Sequence, residues 1–185
     1  LINNIKDNNT ALIEELVPKL LGVGDIQKVL QNLLSEGISI RDLLTIFESL
    51  ADHAGTTRDT DVLTEYARQS LKRAISNKYF PGNETTRVIT LDPAVEQEIM
   101  GSVKQTEQGG YINLAPDKIR QIVNSVKTEL AKLEDMGANP IIVTSPIVRI
   151  YFKKIINDYF KDVAVISYNE IESDVELQSV GMVTI

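Results

Sequence analysis

The stretch IIVTSP at residues 141–146 decides the fold class of the second half of the chain. Its first four residues are a short, continuous apolar run, which is typical of a strand buried in a parallel sheet. Ser145-Pro146 then predicts the start of a helix, because proline is favoured in the first helical turn. We expect that helix to run to about Phe160. Val163–Ser167 predicts a second buried strand, so strand, helix and strand follow one another.

The same alternation continues on both sides of this stretch. Arg87–Leu91 is rich in β-branched residues, and Asp92-Pro93 follows it as a helix cap with proline at the first helical position. Gln108–Gly110 predicts a helix break before a long helix over Pro116–Met136. Leu177–Ile185 is a final strand, with its glycine at 181 as a bulge or bend. Alternating strands and helices imply right-handed crossovers and an α/β subdomain with a mostly parallel, short sheet.

Residues 1–80 instead show helical periodicity. We expect three or four short amphipathic helices that form a small bundle. Asp25, Ser39 and Asp61 are the expected N-caps, and Gly37 is expected to end the first clear helix. The buried face of that helix is predicted to contain Ile26, Val29, Leu30, Leu33 and Leu34. Pro81-Gly82-Asn83 marks the change of pattern, so the predicted fold is α plus α/β, with a helical subdomain at 1–80 and an α/β subdomain at 81–185.

Composition excludes several classes of protein. The 185 residues are 43% hydrophobic and 24% charged, as in ordinary globular proteins. Net charge is −7, which argues against a nucleic-acid module. There is no cysteine and a single histidine, so we expect no thiolate or multi-histidine metal site and no cofactor. No apolar window is long enough to span a membrane. The chain starts at Leu1 without an initiator methionine, and we interpret it as a piece of a longer protein.

Motifs for catalysis are weak. Gly22-Val23-Gly24 does not complete a phosphate-binding loop, and a helix–helix turn explains it better. His53 is expected to lie at a helix C-terminus, where a cationic imidazole is favourable. Three nearby aspartates are better explained as caps and loop charges than as a cation site; they are Asp52, Asp59 and Asp61. An acidic cluster at Glu170, Glu172, Asp174 and Glu176 is expected to be a solvated turn or a protected sheet edge.

Several segments resemble the cytoplasmic region of the FlhA family, a component of the flagellar type III export gate. The run from Lys28 to Asp42 is the most specific part. The other segments, in family order, are Glu15–Pro18, Leu63–Arg68, Phe80–Asn83 and Ser167–Ile171. This chain resembles the last two of the family's four cytoplasmic subdomains.

The resemblance implies a binding and assembly module rather than an enzyme. It implies a location at the cytoplasmic face of the bacterial inner membrane, with the membrane-embedded part upstream of this soluble piece. The expected partners are export-apparatus proteins, chaperone–substrate complexes and other copies of the chain in a nonameric ring. The family's best-known chaperone pocket lies upstream of Leu1, so none of its residues can be transferred to this chain.

We predict a ring or partner surface formed by five polar residues on otherwise apolar helices: Gln31, Asn32, Arg41, Asp42 and Glu48. Arginine suits interfaces because its planar fork binds carboxylates with two hydrogen bonds. The alternative is local use, with Asp42 capping its own helix and Arg41 pairing with Glu48 on the surface.

Two alternative functions stay open. The first is an export gate of an injectisome rather than of a flagellum. The second is a small hydrolase or transferase that uses Ser145, His53 and a carboxylate of the C-terminal acidic cluster. That alternative requires the three groups to converge in one pocket.

Overall fold

The computed structural model describes residues 1–6 and 8–185. The chain divides into two compact units, a helical unit at Leu1–Lys78 and an α/β unit at Tyr79–Ile185. Within the described residues, no helix combines the length and the apolar composition that a membrane span needs. The mixture of helices with a mostly parallel sheet confirms the predicted α plus α/β class.

The helical unit contains more and shorter helices than the sequence predicts. Its core is formed mainly by the third, fourth and fifth of them, whose buried residues include Ile26, Leu33, Phe47, Leu50 and Leu63. The elements are α1 (Ile2–Lys6), α2 (Thr10–Leu16), α3 (Val23–Ser35), α4 (Leu43–Ala54), α5 (Thr60–Ser70) and α6 (Lys72–Tyr79). Gly37 has a φ of 73° directly after α3, which confirms it as the residue that ends this helix.

All three predicted N-caps are shifted by two or three residues. Gly22 caps α3, and the Asp25 carboxylate accepts from the Gly22 amide at 3.0 Å from within the first turn. Asp42, not Ser39, caps α4. Asp59, not Asp61, caps α5 by accepting from backbone amides of its first turn. At the starts of α4 and α5 two acidic or hydroxyl side chains compete, and the cap is the one whose oxygen accepts from the free amides. In α3 the only such side chain is Asp25, which lies inside the first turn, so glycine takes the cap position.

The α/β unit contains a four-stranded parallel sheet with the strand order β5-β4-β1-β6. Its strands are β1 (Thr86–Leu91), β4 (Ile141–Thr144), β5 (Ala164–Ser167) and β6 (Leu177–Val183), and its helices are α7 (Pro93–Ser102), α8 (Pro116–Asp135) and α9 (Pro146–Ile156). The β1–β6 register shifts where Ser179 pairs with Val88 and Gly181 with Ile89. This confirms the predicted bulge, with Val180 as the extra residue.

The three helices pack on one face of this sheet. Ile89, Ile142 and Val165 are register partners across β1, β4 and β5, and all three belong to the core. Side chains of successive strand residues alternate between faces, so this row lies on the face that the three helices cover. Val95 of α7, Val126 of α8 and Phe152 of α9 are among the helix residues that complete the core.

Two boundaries in the α/β unit differ from the prediction. The helix after β1 ends at Ser102, and a hairpin of β2 (Val103–Thr106) and β3 (Gly109–Ile112) follows it. The glycines expected to break a helix therefore belong to a strand, and a side chain at Gly110 would collide with the Tyr151 hydroxyl. The helix expected to reach Phe160 ends at Ile156. Short polar strands such as β2 carry little periodic signal in the sequence.

Candidate protein interface of the helical unit

Asn32 joins two helices of its own unit. Its side-chain amide donates to the Thr64 hydroxyl at 3.1 Å and to the Asp61 carboxylate at 3.4 Å, both on α5. The side chain is half-buried, and Thr64 is buried. Asn32 therefore orders the α3–α5 contact, whatever else it does.

Asp42 serves the local role that the sequence left open as an alternative. One carboxylate oxygen accepts from the Thr45 amide at 3.2 Å, and the other accepts from the Thr45 hydroxyl at 2.7 Å. Arg41, directly before it, has an exposed side chain, and its backbone amide donates to the Ser39 hydroxyl at 3.3 Å. The cap thus fixes the backbone from which the guanidinium of Arg41 extends into solvent.

Gln31, Arg41 and Glu48 have exposed side chains, as does Asp42, whose carboxylate caps α4. They present an amide, a guanidinium and a carboxylate, so the three together can donate to and accept from a protein surface. The structure therefore divides the five predicted residues by what they contact. Asn32 and Asp42 stabilise α3–α5 packing and the start of α4, and the other three side chains face outward.

The helical unit also contains an apolar groove that the sequence did not predict. Its volume is about 320 Å³, and its lining includes Leu34, Ile38, Ala74, Ile75 and Lys78. Leu34 was expected in the core, but it is 53% exposed, so that expectation is wrong. The signal in the sequence was an apolar stripe on α3 wider than one buried face requires.

His53 stacks on Tyr66, with ring centroids 3.8 Å apart and an interplanar angle of 11°. Its Nδ1 lies 2.8 Å from the Ser49 carbonyl oxygen near the C-terminal end of α4, which agrees with the expected position. Of the neighbouring aspartates, Asp59 caps α5 and Asp61 accepts from Asn32. These contacts account for both carboxylates as structural groups, as the sequence predicted.

The C-terminal acidic cluster separates into two kinds of residue. Glu170 is fully buried, and one carboxylate oxygen accepts from the Ser167 amide at 2.9 Å. The expectation of a solvated charge is therefore wrong for Glu170, because its carboxylate caps the short 3-10 helix at Tyr168–Glu170. Asp174 and Glu176 are exposed, as expected. Ser145 lies directly after β4, and its amide donates to Glu96 at 3.0 Å.

Comparison with known proteins gives a consistent result. Flagellar biosynthesis protein FlhA of Bacillus subtilis (strain 168) is 46% identical over 185 residues, which is all of this chain and 27% of FlhA. The chain therefore spans about a quarter of that relative's length.

Solved structures agree with this relationship. The Chlamydia pneumoniae CdsV and CdsO protein complex contains a chain that matches with a TM-score of 0.90 and 37% identity, over 99% of this chain and 54% of that one. The nonameric EscV cytosolic domain from the type III secretion system matches with a TM-score of 0.80 and 32% identity, over 100% of this chain and 54% of that one. The FHIPEP family matches residues 1–176. These matches confirm the resemblance found in the sequence, and the chain belongs to the FHIPEP family.

Proposed function

We propose that this chain is the cytoplasmic part of a type III protein-export gate, in a flagellar export apparatus. Its role is binding and assembly rather than catalysis. It packs against copies of itself in a nonameric ring and docks export-apparatus proteins and chaperone–substrate complexes. The remainder of the longer protein anchors it at the inner membrane, and residues 1–80 and 81–185 act as its helical and α/β subdomains.

The observation that carries this proposal is the 46% identity to FlhA over the whole chain. That relative is a flagellar biosynthesis protein, which favours the flagellar system over the injectisome alternative. Ring assembly is supported by the nonameric state of the EscV cytosolic domain. Docking of a second protein is supported by the complex of CdsV with CdsO.

Within the helical unit, we assign the ring or partner surface to the five predicted residues. Gln31, Arg41 and Glu48 provide the contacting side chains, while Asn32 and Asp42 hold the backbone that presents them. A ring requires two different patches on each subunit, because only a heterologous interface closes a cycle of nine. Arg41 and Glu48 carry opposite charges, so they suit complementary partners on neighbouring copies.

A chimera tests the proposed function. The matching segment of Bacillus subtilis FlhA is replaced by this chain, and flagellin secretion and swimming are measured. We expect secretion to be restored, and a chimera that accumulates at the membrane yet exports nothing would contradict the proposal. The same replacement in the EscV protein tests the injectisome alternative, for which we expect weaker rescue.

Charge reversal tests the assigned surface. Arg41→Glu and Glu48→Lys are compared in the chimera with Lys161→Glu, an exposed residue of the α/β unit. We expect the first two to reduce ring assembly, measured by cross-linking in membranes, and the third to leave it unchanged. Equal assembly in all three variants would contradict the assignment of the ring surface to Arg41 and Glu48.

A further inference from the structure

Three side chains of the α/β unit come together at the carboxyl edge of its sheet. Thr144 and Ser167 are register partners at the ends of β4 and β5. Because the two strands are parallel, the residues that follow them leave the same edge side by side. After β4 the chain continues through Ser145 into α9, and after β5 it continues into Tyr168. Glu96 of α7 joins them, since its Oε1 accepts from the Ser145 amide at 3.0 Å.

The resulting surface, here called the edge patch, consists of Ile147, Tyr168 and Glu96. Ile147 is 68% exposed and Tyr168 is 54% exposed, and both closely follow strand ends at the edge where Glu96 accepts from the Ser145 amide. Partial burial and, second, the negative charge of Glu96 raise the pKa of Tyr168 above its usual value of 10.0. The register of β4 and β5, together with the bond from Ser145 to Glu96, places the phenol and the carboxylate at the same end of the sheet.

The carboxylate of Glu96 is held in place by one hydrogen bond and can accept further hydrogen bonds. The bond from Ser145 occupies one lone pair of Oε1, whereas an ionised carboxylate offers about four acceptor sites. A second donor therefore finds an oriented acceptor beside an aromatic ring. Aromatic rings and carboxylates both bind a guanidinium well, the ring by stacking and the carboxylate by paired hydrogen bonds.

We propose that the edge patch docks a segment of another protein that presents an arginine beside an apolar side chain. The guanidinium stacks on the Tyr168 ring and donates to Glu96, while the apolar side chain covers Ile147. Arginine and tyrosine are both enriched among the residues that dominate binding energy in interfaces. The inference rests on the partner-docking part of the proposed function and names the chemistry of one such partner.

Charge decides between another protein and a second copy as the occupant. The α/β unit contains 10 basic and 15 acidic residues, and the whole chain has a net charge of −7. At this patch a second copy would bring a like negative charge, whereas a basic segment is attracted and its association is accelerated. The partner we infer is therefore basic around its arginine.

The test is an NMR titration of the isotopically labelled chain with three short, blocked peptides. The peptides share one leucine-containing helical sequence and differ at one position, which is Arg, Lys or Gln. We expect the Arg peptide to shift the Ser145 and Ile147 amides and the Tyr168 ring saturably. The Lys peptide should bind about threefold more weakly because it lacks the planar fork. The Gln peptide should bind about tenfold more weakly, since a charge-assisted hydrogen bond is lost.

Two variants make the test specific. Glu96→Gln still accepts from the Ser145 amide but lacks the charge, so we expect it to reduce the preference for Arg over Gln to the part that stacking on Tyr168 supplies. Glu98→Gln, two residues along the same helix, is the matched control and should keep that preference. Equal binding of the three peptides, shifts away from the edge patch, or unchanged preference in Glu96→Gln would each overturn the proposal. So would patch shifts that grow with protein concentration alone, since these identify a second copy as the occupant.

The outcome separates this inference from the proposed function. If the chimera with FlhA secretes flagellin but the isolated chain shows no preference for the Arg peptide, the inference fails and the proposed function stands. If the peptide preference is found but the chimera exports nothing, the edge patch is a binding site and the export-gate proposal fails.

Discussion

Replacing Asn32 by alanine should destabilise the helical unit even if Asn32 never touches a partner. The substitution removes the 3.1 Å bond to the Thr64 hydroxyl and the longer 3.4 Å contact with Asp61. Loss of one good bond to a buried hydroxyl, with a small addition from the longer contact, costs about 1–2 kcal/mol. The higher helix propensity of alanine offsets about 0.6 kcal/mol of this loss. The net loss of unfolding free energy is therefore about 1 kcal/mol, or roughly 2–4 °C in Tm.

The assay is urea unfolding followed by circular dichroism, with Asn124→Ala as the matched control. Asn124 lies exposed within α8, so this control reports helix propensity without the bonds to α5. The difference between the two variants should be about 1–2 kcal/mol. Gln31→Ala, one residue away and exposed, should change stability by less than about 0.5 kcal/mol and should act on assembly instead. Equal unfolding free energies for Asn32→Ala and Asn124→Ala would refute the assigned role.

Three further predictions test other parts of the structure. Arg68→Ala should lower the unfolding free energy by about 3 kcal/mol, because Arg68 is 2% exposed and lies 3.5 Å from the Glu36 carboxylate. Chemical denaturation measures this loss, and an unchanged unfolding free energy would contradict the prediction. Phe152→Ala should cost about 3–5 kcal/mol in the α/β core, which scanning calorimetry detects as a lower Tm. Tyr168 has a raised pKa in the folded chain, so stability should be fully present below pH 10 and fall as pH rises above it. Phenolate absorbance, with Tyr168→Phe as reference, should show that Glu96→Gln lowers the titration midpoint; an unchanged midpoint would contradict the electrostatic cause.

The sequence predicted the α/β unit best where a strand is fully apolar. The runs at Ile141–Thr144 and Val163–Ser167 contain no polar interruption before their ends, and burial on both faces is what selects such runs. Asp92-Pro93 and Gly181 were also informative. Proline restricts the backbone to few conformations, and glycine allows conformations that other residues rarely adopt. The β2–β3 hairpin was missed since its first strand is mainly polar and exposed.

The sequence predicted less of the helical unit and of its surface. Periodicity marks which residues of α3 are apolar, but it does not separate Leu33, which is buried, from Leu34, which is half exposed. Likewise, Asn32 and Gln31 are adjacent amides of similar chemistry, and only the position of α5 assigns hydrogen bonds to Asn32. The missing information is the identity of the neighbour across the helix, which local sequence does not contain.

Edge protection of the sheet restricts how copies of the α/β unit can meet. The Ala164 amide donates to the Pro140 carbonyl, so Ala164 faces the chain segment leading into β4. The flanking residues Val163 and Val165 then point their carbonyls outward at the edge of the sheet. Lys153 donates to the first at 3.0 Å, and Arg149 donates to the second at 3.1 Å.

Both donors come from α9, one helical turn apart, and both are buried. An edge strand with open carbonyls would pair with strands of other chains. Because these two side chains occupy the carbonyls, strand addition at β5 would first require two charge-assisted bonds to break. Contacts at this side of the α/β unit must therefore use helix and loop side chains, as the edge patch does, rather than backbone pairing.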